Sequence, residues 1–236
     1  MREGDPTLMT GRALVSSLAS GDDPDTVFDR CYPEWVRRHS RRHWTPVEVA
    51  RLAAELLVTD DDTRVLDIGS GAGKFCIVGA LTTRGTFSGI EQRADLIEVA
   101  RAAADHWGAP RASFIHGNIT SVDWRAFNAF YLFNPFSEYN EGLSGAIDQS
   151  ISFSPALSER YIRFTRARLA ETPLGTRVAT YHGYGGAMPP GFRCIQCEPK
   201  GSDFVEIWVK EPGRAWPPPS DRAGESSTPS NGPRAA

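Results

Sequence analysis

Apolar and polar positions fall into blocks along the chain, and the period of each block predicts its element. Val47, Ala50, Leu52, Ala53, Leu56 and Leu57 recur at helical spacing, which predicts an amphipathic helix over residues 45–58. Thr45 is placed to cap it, Pro46 suits the first helical position, and Glu48 completes a capping box. After Arg64, residues 65–68 form a short apolar run broken only by Asp67, the pattern of a buried strand. Gly69, Gly71 and Gly73 follow at alternate positions, and then a helix-compatible run over 75–81. Further strands are predicted over 86–91, 112–119 with its terminal loop, 127–133 and 176–182, and helices over 95–106 and 154–170. Two closing strands, 192–197 and 203–209, predict a hairpin.

The glycine stretch predicts a tight strand–helix turn open to a ligand. Glycines there allow positive φ and remove the Cβ atoms that would hold a small molecule off the backbone. The helix beyond offers unpaired N–H groups, so the pocket belongs at the carboxyl end of the first strand. A phosphate loop of the Walker type needs a glycine where Ile68 stands and Ser or Thr where Phe75 stands, so Lys74 is not read as a phosphate lysine. A dinucleotide fingerprint needs a small residue at position 74 or 76, where Lys and Cys stand. A tight turn with no ligand is the bland reading of the same residues.

Composition narrows the class. With 40% hydrophobic and 23% charged residues among 236, the chain suits one globular domain with polar ends. The organisation expected is a flexible arm over 1–26, a domain over 27–211 and a disordered tail over 212–236, where Pro, Gly, Ser and Arg dominate. A net charge of −3 argues against a global field toward nucleic acid. No apolar run is long enough to span a membrane and no signal peptide is apparent, so the expectation is a cytoplasmic protein with no membrane partner. Cys194 and Cys197 form a C-x-x-C with no second pair nearby, on a predicted strand where residues three apart face opposite sides. Separate reduced thiols are expected, and no metal.

Four elements then line up at the ends of successive strands: Asp67 to Gly73, Glu91, Asn118-Ile119, and Asn134-Pro135-Phe136. In this order they resemble the class I S-adenosylmethionine-dependent methyltransferases. The last block is similar to the (Asn/Asp/Ser)-Pro-Pro-(Tyr/Phe) element of amino methyltransferases with one proline fewer. There is also some resemblance to Dot1-like enzymes. The resemblance implies an α/β fold: a Rossmann-like three-layer sandwich with a mostly parallel seven-stranded sheet and a C-terminal antiparallel hairpin. It implies S-adenosyl-L-methionine as cofactor and S-adenosyl-L-homocysteine as product.

Roles follow from the resemblance residue by residue. Gly69, Ser70, Gly71 and Gly73 would let the backbone approach the methionine part, with Asp67 ordering that loop. Thr45, in the turn His43-Trp44-Thr45-Pro46, would cover the methionine end. Glu91, 22 positions after Gly69, would hold both ribose hydroxyls, with Gln92 against the adenine. Asn118 and Ile119 would take the adenine amino group and a ring nitrogen. Asn134 and Pro135 would position an acceptor nitrogen beside the cofactor, and Phe136 would wall it. Glu138, Tyr139 and His182 are candidates for the proton acceptor by position alone. The acceptor itself is left open between protein, nucleic acid and small molecule. The competing readings are a cofactor-binding protein without catalysis, favoured by the shortened Asn-Pro-Phe block, and an NAD-dependent oxidoreductase.

The segment from Phe28 to Trp44 mixes Tyr32, Trp35, His39 and His43 with Arg37, Arg38, Arg41 and Arg42. It suits either contact with nucleic-acid phosphates and bases or a solvated helix face whose aromatics dock on the core.

Overall fold

The computed structural model describes residues 23–137, 147–148, 150–151 and 154–212. The expected residues of the arm before 23, the short turn over 12–18, the loop residues Glu138, Tyr139, Asn140 and Glu141, and the tail beyond 212 lie outside the described residues.

Three short helices open the described chain: α1 (Pro24–Asp29), α2 (Glu34–Arg37) and α3 (Ser40–His43). They are followed by α4 (Val47–Leu57), β1 (Arg64–Ile68), α5 (Lys74–Thr82), β2 (Thr86–Glu91), α6 (Ala94–Trp107), β3 (Ala112–His116) and β4 (Ala129–Phe133). The chain closes with α7 (Pro155–Glu171), β5 (Arg177–Tyr181), β6 (Phe192–Lys200) and β7 (Asp203–Lys210). Among the described residues the strands form one seven-stranded sheet in the order β3-β2-β1-β4-β5-β7-β6. β1 to β5 run parallel, while β7 pairs antiparallel with both β5 and β6. The Rossmann-like α/β expectation is met, with the hairpin at the sheet edge. α1 already starts at Pro24, inside the segment assigned to the arm, because its Asp25 is tied to the core.

Parallel strands need both faces covered, and β1 and β4 are buried over nearly their whole length. One apolar layer gathers Phe28, Val47, Leu57, Phe75, Phe87, Trp107 and Tyr131, bringing α1, α4, α5 and α6 onto one face. The other gathers Leu66, Ile68, Trp124, Phe130, Tyr161 and Val178, bringing α7 onto the opposite face. Phe75 stacks on Tyr131 with centroids 3.7 Å apart, joining helix to sheet beneath the glycine loop. Leu52 and Leu56 of α4 are only partly buried, whereas Val49 and Ala54 are fully inside.

The start of α4 departs from expectation. Pro46 holds the cap position, and no side chain caps the helix from within. The Thr45 hydroxyl instead meets the Tyr131 hydroxyl at 3.1 Å, and the Val47 N–H donates to Asp25 Oδ1 at 3.1 Å. Glu48 turns outward to Lys200, 2.5 Å away. A carboxylate from α1 thus takes the bond that the local motif offered to Thr45. α7, expected from 154, is capped by Ser154, whose side chain accepts from Leu157 N–H. Arg160, Arg163 and Arg166 lie on the exposed face of that helix. Cys194 is half-buried and Cys197 exposed on opposite faces of β6.

Candidate functional site

The carboxyl ends of β1, β2 and β4 open into one cleft. Its outer part spans about 690 Å³ of atom-free space that opens to solvent, lined by Arg42, His43, Trp44, Gly71, Asn134 and Ser137 among others. Its inner part, about 420 Å³, is lined by Ile90, Gln92, Gly117, Ile119, Phe136 and Tyr161 among others. Gly69, Glu91, Arg93 and Pro135 border both parts.

The glycine loop forms the floor. Gly69 and Ser70 N–H groups donate to Ile90 O, which fastens the loop to the tip of β2. Gly71 has φ +53, and a Cβ there would stand 2.2 Å from the Trp44 ring. Only glycine suits that close approach. Trp44 is buried and held by its indole N–H donating to Val36 O at 3.2 Å, so α2 and α3 carry a ring down onto the loop.

Lys74 follows the loop and is 98% enclosed, with 2% exposure. Its Nζ lies 2.9 Å from Asp25 Oδ1, 2.6 Å from Asp29 Oδ1 and 2.9 Å from Ser40 Oγ. The contact with Asp29 Oδ1 is ionic and off the hydrogen-bond axis, since that oxygen has no hydrogen bond among the described residues. The Tyr32 hydroxyl donates to Ala72 O at 2.9 Å. The lysine is thus an internal clamp between the opening helices and the loop, and not a ligand for phosphate.

Asp67 is buried near the carboxyl end of β1. Burial pushes its carboxyl up to about 8, with Glu91 adding to the rise and the Cys76 thiol, 3.6 Å from Oδ2, opposing it. Burial also pushes the Cys76 thiol well above the ordinary range. The bond found for Asp67 is this one with Cys76, in place of the expected tie to the glycine loop, because the loop N–H groups have gone to Ile90, Ser70 and Glu91.

Glu91 ends β2 and is 7% exposed. Its Oε2 accepts from Gly71 N–H at 3.2 Å and its Oε1 from Arg93 N–H at 3.0 Å. Arg93 is itself buried, with Nη1 3.8 Å from Glu91 and Nε 3.2 Å from Asp148. Sequence reasoning passed over Arg93; its place two residues beyond the strand-tip carboxylate was the available signal. Tyr161 also lines the cleft without a signal in the sequence, and Trp44, expected only as part of the turn before Thr45 and of the arginine-rich segment, lines it too.

At the inner end, Asn118 Nδ2 donates to Gln92 Oε1 at 2.8 Å and to the Tyr161 hydroxyl at 2.7 Å. Its Oδ1 accepts from Thr120 N–H at 3.0 Å and from the Thr120 hydroxyl at 2.9 Å. The oxygen expected to serve an adenine amino group is therefore already engaged. Ile119 is 7% exposed on the inner wall.

Asn134 follows β4 with φ +40, and its N–H donates to Gly183 O at 2.9 Å. His182, one residue past β5, has φ +58. Both are side-chain-bearing residues in the left-handed region, and they meet at the tips of neighbouring strands. His182 Nδ1 lies 2.7 Å from Asp203 Oδ2, and its ring sits 5.6 Å from that of Phe133. Pro135 packs over Gly69, which explains its nearness to the floor. Phe136 turns away from Asn134, stacks with Tyr161 at 5.9 Å and lines the inner part only. Expected as a wall for the acceptor, it lines the inner part of the cleft, and the loop after β4 reaches α7, where Phe136 O accepts from the Ser158 hydroxyl. Thr45, Asp67, Ser70 and Lys74 gather in a smaller recess under Trp44.

Among the described residues, no group of three or more His, Cys, Asp or Glu side chains could hold a metal ion, and no helix is long and apolar enough to cross a membrane.

Residues 59–134 match the family model described as a methyltransferase domain. No curated protein matches. Among solved structures, an RNA methyltransferase from Salinibacter ruber, in complex with S-adenosyl-L-homocysteine, is 21% identical, covers 71% of this chain and 93% of its own, and has a TM-score of 0.51. TrmN from Thermus thermophilus is 20% identical over 79% of this chain and 53% of its own length, with a TM-score of 0.56. Cofactor-bound Rv0187 from MTB is 15% identical over 89% of this chain and 100% of its own, with a TM-score of 0.52. At these identities the structures show the shared fold. The segment matched as a methyltransferase domain contains the glycine loop, Glu91, Asn118 and Asn134, and the fold around it is the Rossmann-like fold that these structures share.

Proposed function

We propose that this protein transfers a methyl group from S-adenosylmethionine to a nitrogen acceptor, and that the domain over 27–211 carries the activity. The observation that carries the reading is Asn134: an asparagine held at φ +40 at the tip of the central strand, bordering the same cleft as Gly71 and Glu91. Backbone held in a sparsely populated region persists where surrounding structure over-determines it, and such positions gather at functional sites.

The residues fit the cofactor. The inner part offers apolar walls, Ile90, Ile119 and Phe136, for a flat base. Buried Glu91 presents a carboxylate that suits a ribose diol, and it is already preorganised by two N–H donors. Trp44 and the small recess with Thr45, Asp67 and Ser70 suit the methionine end. When bound, S-adenosylmethionine supplies an electrophilic methyl group on a sulfonium. The chain's own work is orientation. Asn134 has an amide oxygen to accept from the acceptor's N–H, and holding an acceptor in line is worth up to about 7–11 kcal/mol. His182, oriented by Asp203, is the candidate to take the departing proton.

Against an NAD enzyme stands the antiparallel β7 inserted between β5 and β6, where a dinucleotide fold continues its parallel order. Four free thiols among the described residues support a reducing, cytoplasmic setting. Calorimetric titration with S-adenosylmethionine, S-adenosylhomocysteine and NAD tests the reading. Micromolar binding of the first two and none of NAD is expected. Failure of both to bind overturns it, and binding without transfer to any nitrogen acceptor favours the non-catalytic alternative.

A further inference from the structure

One rim of the cleft is built unlike the rest of the molecule. Residues 30–43 carry Arg30, Arg37, Arg38, Arg41 and Arg42 and one acidic residue, Glu34, in a chain whose net charge is −3. Arg37, Arg38, Arg41 and Arg42 are all exposed. Glu34 pairs with Arg37 at 2.7 Å and reaches Arg38 only at 4.0 Å, so one carboxylate is shared between two guanidinium groups, and Asp23 lies within electrostatic reach of Arg41. Rings run through the same segment. His39 and His43 lie 5.6 Å apart, and His43 and Trp44 6.0 Å apart. The three rings meet at an angle, with 63° and 53° between successive planes, and lead from the half-buried outside of α3 to the buried ring over Gly71. The inner rings, with Arg42, face Asn134 and Ser137 across the cleft mouth.

We propose that the methyl acceptor is a base of a single-stranded polynucleotide, led over α3 into the cleft. This rests on the methyltransferase reading above and names its substrate class. Exposed arginines answer phosphates, and unpaired bases offer flat faces to the half-buried rings of His39 and His43. A paired helix keeps its base faces stacked, and an acidic peptide would answer the arginines but not the rings. The net negative charge of the remainder confines the strand to this rim. An exocyclic amino group of a base is also the nitrogen acceptor that Asn134 suits.

The test is fluorescence anisotropy with a fluorescein-labelled, mixed-sequence RNA of about 20 nucleotides and the DNA strand of the same sequence. The wild-type protein is expected to bind, with affinity falling steeply from about 50 to 200 mM salt. Arg38→Glu/Arg41→Glu, which lies outside the cleft lining, is expected to weaken binding at least roughly tenfold and flatten the salt dependence, with S-adenosylhomocysteine affinity unchanged by calorimetry. His39→Ala, which removes the outer ring, is expected to weaken binding about fivefold or more. Preference for RNA would assign the ribose hydroxyl a part, and equal binding would assign recognition to phosphate and base alone; both support the class. No binding by wild type, or equal binding by wild type and both variants, overturns it. If the charge reversal also abolishes S-adenosylhomocysteine binding, His39→Ala decides alone. Strand binding without cofactor binding in the wild type would strike the methyltransferase reading and leave the rim assignment standing.

Discussion

Gly71 and Trp44 share one space, which makes their substitutions interdependent. A methyl at position 71 would sit 2.2 Å from the Trp44 ring on a backbone at φ +53. Gly71→Ala is expected to cost about 1–3 kcal/mol in urea unfolding. In a Trp44→Ala background it should cost clearly less, since only the backbone strain remains; an additive double mutant would show that the ring is not the obstacle. Glu91→Ala removes a charge-assisted acceptor and is expected to weaken S-adenosylhomocysteine binding at least tenfold, from a bond of about 1.5–3 kcal/mol. Unchanged affinity would remove the ribose assignment.

Asp67 carries a pH prediction with a definite sign. Burial holds its carboxyl near 8 in the folded protein, against about 3.9 in an unfolded chain. Between these values the folded state keeps a proton that the unfolded state has lost. Stability from this group is therefore complete below about pH 4 and falls as pH rises toward 8, by at most about 1.4 kcal/mol per unit. Urea midpoints taken across that range should decline more steeply for the wild type than for Asp67→Asn. Parallel curves would mean that Asp67 is ionised throughout.

At the scale of elements, one buried cation binds the opening helices to the site. Lys74 starts α5 and holds Asp25 and Asp29 of α1 and Ser40 of α3. Asp25 also accepts from the first N–H of α4. Lys74→Met would leave two carboxylates facing an apolar side chain, one of them 14% exposed and the other 32%. Removing one partner of a buried pair typically costs about 3–5 kcal/mol, and the partial exposure of Asp25 puts this case at the lower end. Limited proteolysis of the variant should cut within residues 23–44 while the sheet survives. Cleavage spread evenly over the chain would instead mean that the clamp supports the whole fold.

At the scale of the molecule, ligand and stability are linked. A ligand that binds only the folded state at about one hundred times its Kd adds about 2.7 kcal/mol. In a domain of this size that raises Tm by roughly 5–10 °C. Saturating S-adenosylhomocysteine is expected to give such a shift in a thermal melt, and NAD none.

The chain's periodicity alone determined the alternation of strands and helices, the glycine turn at the head of the first helix of the sheet, and the strand-tip positions of Glu91, Asn118 and Asn134. Those features are local: hydrophobic period and turn chemistry are set by residues a few positions apart. The tertiary structure alone decided which partners the polar groups chose. Thr45 left its helix for Tyr131, 86 positions away, and Asp25 took over the N–H it had been expected to cap, 22 positions along the chain. Lys74 found its counter-charges in α1, and Glu91 was joined by an arginine that no motif marked. Phe136 turned to Tyr161 where the loop after β4 reaches α7. Each choice depends on which segments the sheet order brings together. A buried polar group must find a partner wherever the fold provides one, and no local pattern carries that address.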